Sequence, residues 1–289
     1  MLFLRVSQSL DFTWGMSMGR RMVLVCLVAL TQTALAEHKP LWELGFGLAP
    51  ITFPNYRGSD EQSAYVLPLP YVIYRGDRFK VDRSGPRGVL FDSDRIDLDL
   101  SLSASVPVES DDNEARRGMP DLDPTAELGP VLKFHFTEKN APLSLRFELP
   151  MRAVFAIDSS SIEHVGFLAA PALWIERRNI AGGWNVSAGA GPLFADAEYH
   201  DYYYSVPAQF ATLERPAYDA SGGYSDTSVL AGVSRRFQRV WAGAFVRYDH
   251  LSGVDFDDSP LFKTDHAFMA GFGIAWIFAQ SKTLVEAEP

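Results

Sequence analysis

Between His266 and Phe278 the chain reads HAFMAGFGIAWIF, and bulky and small residues alternate along it. Phe268, Ala270, Phe272, Ile274, Trp276 and Phe278 fall on one parity. Ala267, Met269, Gly271, Gly273 and Ala275 fall on the other, where Ile277 is the large exception. Successive side chains of a strand leave opposite faces of a sheet, so a period of two separates these sets. A half-buried strand of a water-soluble sheet carries charge on its second face, and this stretch does not. The pattern predicts the closing strand of a transmembrane β-barrel, aromatic side toward lipid and bare side toward a crowded interior.

The same period recurs upstream. Ile96, Leu98, Leu100, Leu102, Ala104 and Val106 interleave with Asp97, Asp99, Ser101, Ser103 and Ser105. From Leu143 to Ile157 one parity is apolar while the other holds Arg146, Glu148 and Arg152. Trp184, Val186, Ala188, Ala190 and Phe194 alternate with Asn185, Ser187, Gly189 and Gly191. Helical periodicity is absent. Alternation bounded by Gly, Pro, Asn and Asp clusters marks about twelve segments (range 10–14), near 41–50, 64–75, 77–84, 86–91, 94–107, 123–137, 142–156, 161–178, 183–196, 224–237, 238–250 and 266–279. The third and fourth are short. The long connections 51–63, 108–122, 197–223 and 251–265 all follow odd-numbered segments, so an up-and-down barrel puts them at one end. Tight turns such as Arg75-Gly76-Asp77, Glu138-Lys139-Asn140 and Arg236-Phe237-Gln238 fall at the other, an asymmetry of outer-membrane barrels. The expected fold is therefore all-β, an antiparallel up-and-down transmembrane barrel.

Prolines complicate the wall. Pro68 and Pro70 lie two residues apart, so their missing N–H groups face the same neighbouring strand. Either the seam beside that second segment is weak, or these prolines sit at strand ends.

The N-terminus is of a different kind. Arg20 and Arg21 precede an apolar run from Met22 to Leu30, and Ala34-Leu35-Ala36 offers a cleavage site before Glu37. Residues 1–36 thus read as a secretory signal, with 37–289 as the barrel and 279–289 as a periplasmic tail. The apolar run is about half the ~20 residues a spanning helix needs. Cys26 lies inside the signal, leaving no thiol in the mature chain. Losing three arginines and one aspartate takes the net charge from −10 to −12. That acidity argues against nucleic acid as a partner.

Candidate chemistry is sparse. No G-x-S-x-G or S-x-x-K occurs, and His135, His164 and His250 are scattered among strands, so no catalytic residue, cofactor or metal is assigned. Asp97, Asp99, Arg146, Glu148 and Arg152 are candidate polar residues of the lumen. The two aspartates either bias a pore toward cations or pair with inward arginines such as Arg146 and Arg152. The loop Asp255-Phe256-Asp257-Asp258-Ser259 offers oxygen atoms for a hard cation or is a solvated acidic loop. Tyr199, Tyr202, Tyr203 and Tyr204 suit a recognition patch, an aromatic girdle or a lumen plug.

Several blocks in order resemble the MipA/OmpV family of outer-membrane proteins. They are Gly45-Phe46-Gly47 with Pro54-Asn55-Tyr56-Arg57-Gly58-Ser59-Asp60, Leu67-Pro68-Leu69-Pro70-Tyr71, the tract 199–206 with 216–223, 248–260 and the terminal strand. Tyr56, Gly58, Ser59, Asp60, Tyr199, Tyr203, Tyr218, Ser259 and Pro260 are the loop positions that carry the likeness. The resemblance implies a non-enzymatic barrel in the outer membrane of a Gram-negative bacterium, lodged in its lipid. It also implies a scaffold joining a lytic transglycosylase to a murein synthase in peptidoglycan assembly. A narrow pore for small solutes and a surface adhesin are the alternatives. Two features depart from the family pattern: the tail after Phe278, and Ser205 where glycine is expected.

Overall fold

The terminal stretch forms one strand, His266–Gln280, with Phe268, Phe272, Ile274, Trp276 and Phe278 exposed and Ala267, Ala275 and Ile277 buried. Its parity holds around the molecule, so an apolar exterior encloses a packed interior. The computed structural model describes residues 37–82, 85–139 and 141–287; the expected signal, 1–36, lies outside them.

The strands are β1 (Glu37–Pro40), β2 (Trp42–Pro54), β3 (Gln62–Arg75), β4 (Phe79–Asp82), β5 (Gly85–Asp92), β6 (Ile96–Ala104), β7 (Thr125–His135), β8 (Leu143–Ile157), β9 (Ile162–Ala169) and β10 (Ala172–Ile180). After them come β11 (Trp184–Ala195), the helix α1 (Ala197–Tyr204), β12 (Gly223–Phe237), β13 (Val240–His250), β14 (His266–Gln280) and β15 (Leu284–Ala287). From β2 to β14 each strand pairs antiparallel with the next, apart from β9 and β10, and β14 pairs with β2, closing the wall. β9 and β10 share one place in it: β8 pairs with β9 near the long-loop end and with β10 near the other, giving a closed barrel of twelve strands. Among the described residues no helix is long and apolar enough to span a membrane.

The expected segments and the observed strands coincide in order and number, with differences at the ends. The segment 161–178 is broken at Ala170-Pro171, where proline has no N–H to continue the ladder. β2 continues to Pro54 and β3 starts at Gln62, so the first long connection shrinks to 55–61. β4 and β5 are present but short. β14 runs two residues past Phe278, and the tail then returns as β15 to pair with β1 from Glu37↔Ala287 to Pro40↔Leu284. This two-stranded sheet lies at the short-turn end, since Leu41 N–H donates to Thr283 O (2.9 Å) beside the start of β2.

Candidate functional site

Three regions of the interior hold the polar and aromatic side chains: a cap of loops at one end, a charged inner wall, and an apolar cavity.

The cap is assembled from residues 55–61, 105–124, 196–222 and 251–265. Asp196 caps α1 by accepting from Tyr199 N–H (3.0 Å), as an acidic N-cap does. The helix approaches β9 closely at Gly166, φ +111°, where a Cβ would stand 2.3 Å from Asp196 Oδ1. Only glycine suits that position. Tyr199, His200 and Tyr204 are consequently buried, and Tyr204 stacks on the fully buried Phe256. Tyr56 O–H donates to Leu261 O (2.8 Å), Tyr204 O–H to Arg57 O (3.0 Å) and Ser259 Oγ to Tyr204 O (2.6 Å). Gly58, at φ +88°, accepts at its carbonyl from Lys263 N–H (2.7 Å), and a Cβ there would meet Phe262 at 2.6 Å.

Arg57 is the cation at the centre. Its Nε lies 3.1 Å from the fully buried carboxylate of Asp226, and Nη1 donates to Tyr199 O–H (3.3 Å). Burial opposes its charge, but Asp226, Tyr199 and Asp249 hold its pKa well above the usual value. Burial also raises the hydroxyls of Tyr199, Tyr203 and Tyr204, so they stay neutral donors.

His200 is fully buried between Ser221 O, 2.6 Å from Nδ1, and Ser225 Oγ, 2.6 Å from Nε2. A carbonyl only accepts, so Nδ1 carries the proton and Nε2 accepts from Ser225. The serine–histidine spacing suits a nucleophile and its base, but Ser225 is 2% exposed and the pair is sealed from substrate. It is a bolt between α1 and β12.

Along the charged wall Asp97 meets His135 Nε2 (2.9 Å) and Lys139 Nζ (2.5 Å), and Asp99 meets Lys133 Nζ (2.8 Å) and Arg87 Nε (3.4 Å). Arg146 binds Glu148 (2.7 Å) and Glu176 (3.5 Å), and Arg152 binds Glu127 (2.9 Å). The pairing of Asp97 and Asp99 with Arg146 and Arg152 does not occur. β7 stands between β6 and β8, and Asp97 and Asp99 find partners on the strands next to β6, about 5 Å away, in His135 and Lys133 of β7 and Arg87 of β5.

Toward β2, β3, β13 and β14 the interior is mostly apolar. A cavity of about 460 Å³ is lined by Leu69, Tyr71 and Ile73 of β3, Trp241 and Phe245 of β13, and Gly273 of β14, with further residues of β2, β11 and β12. Asp82, Glu176, Asn185, Ser187 and Ser234 are its polar members.

The cap gathers Tyr56, Gly58, Ser59, Tyr199, Tyr203 and Ser259, with Pro260 beside them in the same loop; Tyr218 joins through a bridge to Val206, while Asp60 is exposed. The family profile described as "MltA-interacting protein MipA" matches residues 46–278, a span that runs through every one of these loops. The chain belongs to the MipA family. No curated protein matches it. Among solved structures this MipA-family chain is similar to a porin refined at 1.8 Å resolution, with 12% identity, 84% of this chain and 100% of that one covered, and a TM-score of 0.29. It is similar also to the outer membrane protease OmpT from Escherichia coli, with 7% identity, 84% and 99% covered and a TM-score of 0.25. A third is the CymD monoaromatic hydrocarbon channel, with 11% identity, 85% and 68% covered and a TM-score of 0.24. Likeness of this degree specifies neither activity nor partner. With its family and its closed apolar-sided wall, the MipA-family chain is an outer-membrane β-barrel.

Sequence reasoning singles out none of Arg57, His200, Phe256 and Asp226: the first three lie inside the family-like blocks, and Asp226 lies just beyond them. His200 stands out only as a histidine set among four tyrosines, and nothing in the sequence marks the other three. Among the described residues no group of three or more His, Cys, Asp or Glu is placed to hold a metal. In the acidic loop Asp255 Oδ2 accepts from Tyr224 N–H (2.5 Å) and Phe256 is interior.

Proposed function

We propose that this barrel is a non-enzymatic scaffold that holds a murein hydrolase of the MltA kind, and with it a murein synthase, at the inner surface of the outer membrane. The family description names an interaction with MltA. The observation that carries the reading is the β1–β15 sheet. The described ends of the barrel chain meet at the short-turn end in a two-stranded sheet to which, among the described residues, no further strand is paired, so it can take an added strand. Short turns face the periplasm in barrels of this kind, where murein enzymes work. The chain reaches that membrane through a cleaved signal over residues 1–36.

A scaffold also agrees with the interior. Cap side chains and inward ion pairs occupy interior space that a solute pore needs open. The test is affinity capture from detergent-solubilised envelopes, comparing the full chain with one truncated after Gln280. The full chain is expected to retain a lytic transglycosylase and a synthase, and the truncated barrel to lose them while keeping its heat-modifiable gel migration. Capture of neither enzyme by the full chain sinks the scaffold reading, and steady conductance of the purified barrel in planar bilayers replaces it with a pore.

A further inference from the structure

β3 pairs with β2 along its whole length, from Trp42↔Tyr74 to Pro54↔Gln62. On its other side, among the described residues, it meets β4 at Tyr74↔Val81 and Arg75↔Lys80 and nowhere else. Among the described residues β6 pairs with β5 no higher than Ser101, although it continues to Ala104. The short β4–β5 hairpin therefore leaves an opening in the wall between upper β3 and upper β6. The cap closes it above, where Asn113 Nδ2 donates to Ser59 Oγ (3.1 Å) and Glu114 N–H to Glu61 Oε1 (2.7 Å).

The depth of this opening follows from register. Leu48 pairs with Pro68 on one side and Ile274 on the other, and Phe46 with Pro70 and Trp276. The outward residues at these levels are exposed and apolar: Phe46, Leu48, Ile274, Trp276, and Val66 and Val72 on β3 itself. The opening thus lies within the hydrocarbon band. Unpaired backbone is costly there. Arg75 N–H donates toward β2, to Leu41 O, so with an unbroken register the even positions of β3 point their N–H groups into the opening. Pro68 and Pro70 occupy two of those positions and remove the donor at each. Immediately behind this bare edge lies the apolar cavity, whose wall includes Leu67, Leu69, Pro70 and Ile73 of the same stretch together with Asp82 at the head of β4.

We propose that the opening is a lateral entry from the bilayer and that the cavity binds a hydrocarbon chain, the acyl tail of a membrane lipid or of a free fatty acid. The phase facing the opening is hydrocarbon, and the lining behind it is mostly apolar, including Leu69, Ile73, Trp241 and Phe245, with Asp82, Glu176, Asn185, Ser187 and Ser234 as the polar minority. A cavity of about 460 Å³ is in the range of built ligand sites, roughly 300–1,000 Å³. This inference is independent of the scaffold reading.

The test uses the full chain in phosphatidylcholine nanodiscs, with a photoactivatable diazirine placed on a free fatty acid in one arm and on a phospholipid acyl chain in the other. After illumination, adducts are located by peptide mass spectrometry. Lumen-facing Leu69, Trp241 or Phe245 is expected to be labelled, with lipid-facing Ile274 and Trp276, which do not line the cavity, as internal reference. Ala49→Trp, which fills the cavity, is expected to reduce inward labelling at least tenfold and leave the reference unchanged; Ser187→Leu serves the same purpose if the first variant fails to insert. Inward label from the phospholipid arm identifies bilayer lipid as the occupant, and from the fatty-acid arm alone a free chain. Label confined to the outward residues in both arms overturns the proposal.

Discussion

The ring of Tyr204 lies flat on that of Phe256, their centroids 3.5 Å apart and their planes 8° from parallel. One belongs to α1 and the other to the loop before β14, so the contact joins two long connections into one cap. Phe256 also receives the edge of His200 at 4.8 Å. Phe256→Ala leaves a hole where a fully buried ring stood, a change that costs about 3–5 kcal/mol in tightly packed cores. The expected result is protease nicking within 196–222 and 251–265 at least tenfold faster than in the parent, with heat-modifiable migration of the barrel retained. Equal nicking rates would show that the stack does not hold the cap.

The bolt at His200 makes the cap sensitive to acid. Burial lowers its pKa below the usual 6.5, against the opposing pull of the Ser221 carbonyl and of Asp255 and Asp196, while Arg57 adds to the lowering. The unfolded segment therefore binds a proton more readily than the folded one between the lowered value and about 6.5. Cap stability is complete above that window, falls as pH drops through it, and levels off below. Protonation also removes the lone pair that accepts from Ser225. Cap proteolysis is expected to accelerate from pH 7.5 to pH 5 in the parent and to be nearly pH-independent in His200→Gln. A variant with the parent's pH profile assigns the transition to another group.

Most of the wall was legible in the alternation because a barrel strand lies between two uniform phases, lipid and interior, and must declare its parity. Even β4 and β5 were found, though as the weakest segments, because four and eight residues carry little period. The cap was not legible in the same way. Its tyrosines suit a girdle, a patch or a plug equally, and their placement depends on Asp196, Gly166 and Phe256, residues brought together only by the fold. Ion-pair partners failed for a related reason: parity tells which residues face inward, whereas pairing depends on strand order and register. Pro68 and Pro70 fall inside β3, their nitrogens on the side that among the described residues meets β4 only at Tyr74 and Arg75, and a missing donor on a regular strand has to face something.

Glu43 tests the lower end of the wall. It is fully buried on β2 and held by Arg75 Nη2 at 2.7 Å and by Arg236, which reaches it from the end of β12. Removing the acid leaves two partly exposed cations without their carboxylate, so the loss falls below the roughly 3–5 kcal/mol of breaking a fully buried pair. Glu43→Gln is expected to lower the temperature at which the barrel unfolds in detergent, followed as the shift from fast to slow gel migration. Glu43→Gln with Arg236→Leu should recover part of the loss, because it leaves fewer unpaired charges. A double variant no better than the single one contradicts this account.

The opening beside β3 makes a prediction about proline that reverses the usual one. In a strand paired on both sides, replacing proline by valine restores a ladder hydrogen bond and stabilises. At Pro68 and Pro70 the restored N–H would point into the gap, among the described residues, with no strand to receive it. A donor left unsatisfied away from water costs about 1–3 kcal/mol. Pro68→Val and Pro70→Val are therefore each expected to lower the unfolding midpoint in detergent, and the double variant to lower it further. Pro130→Val is the comparison, since Pro130 is paired with Leu100 of β6 and the β8 ladder continues on either side of it, at Leu128↔Ala153 and Val131↔Pro150, so a restored N–H has a strand to receive it. Amide exchange adds a direct view: the N–H groups of Ala64 and Val66 should exchange faster than those of Val229 to Val233, which lie between two paired neighbours. Stabilisation by either β3 substitution, together with slow exchange at Ala64 and Val66, would mean that this edge finds a partner and that the wall is shut.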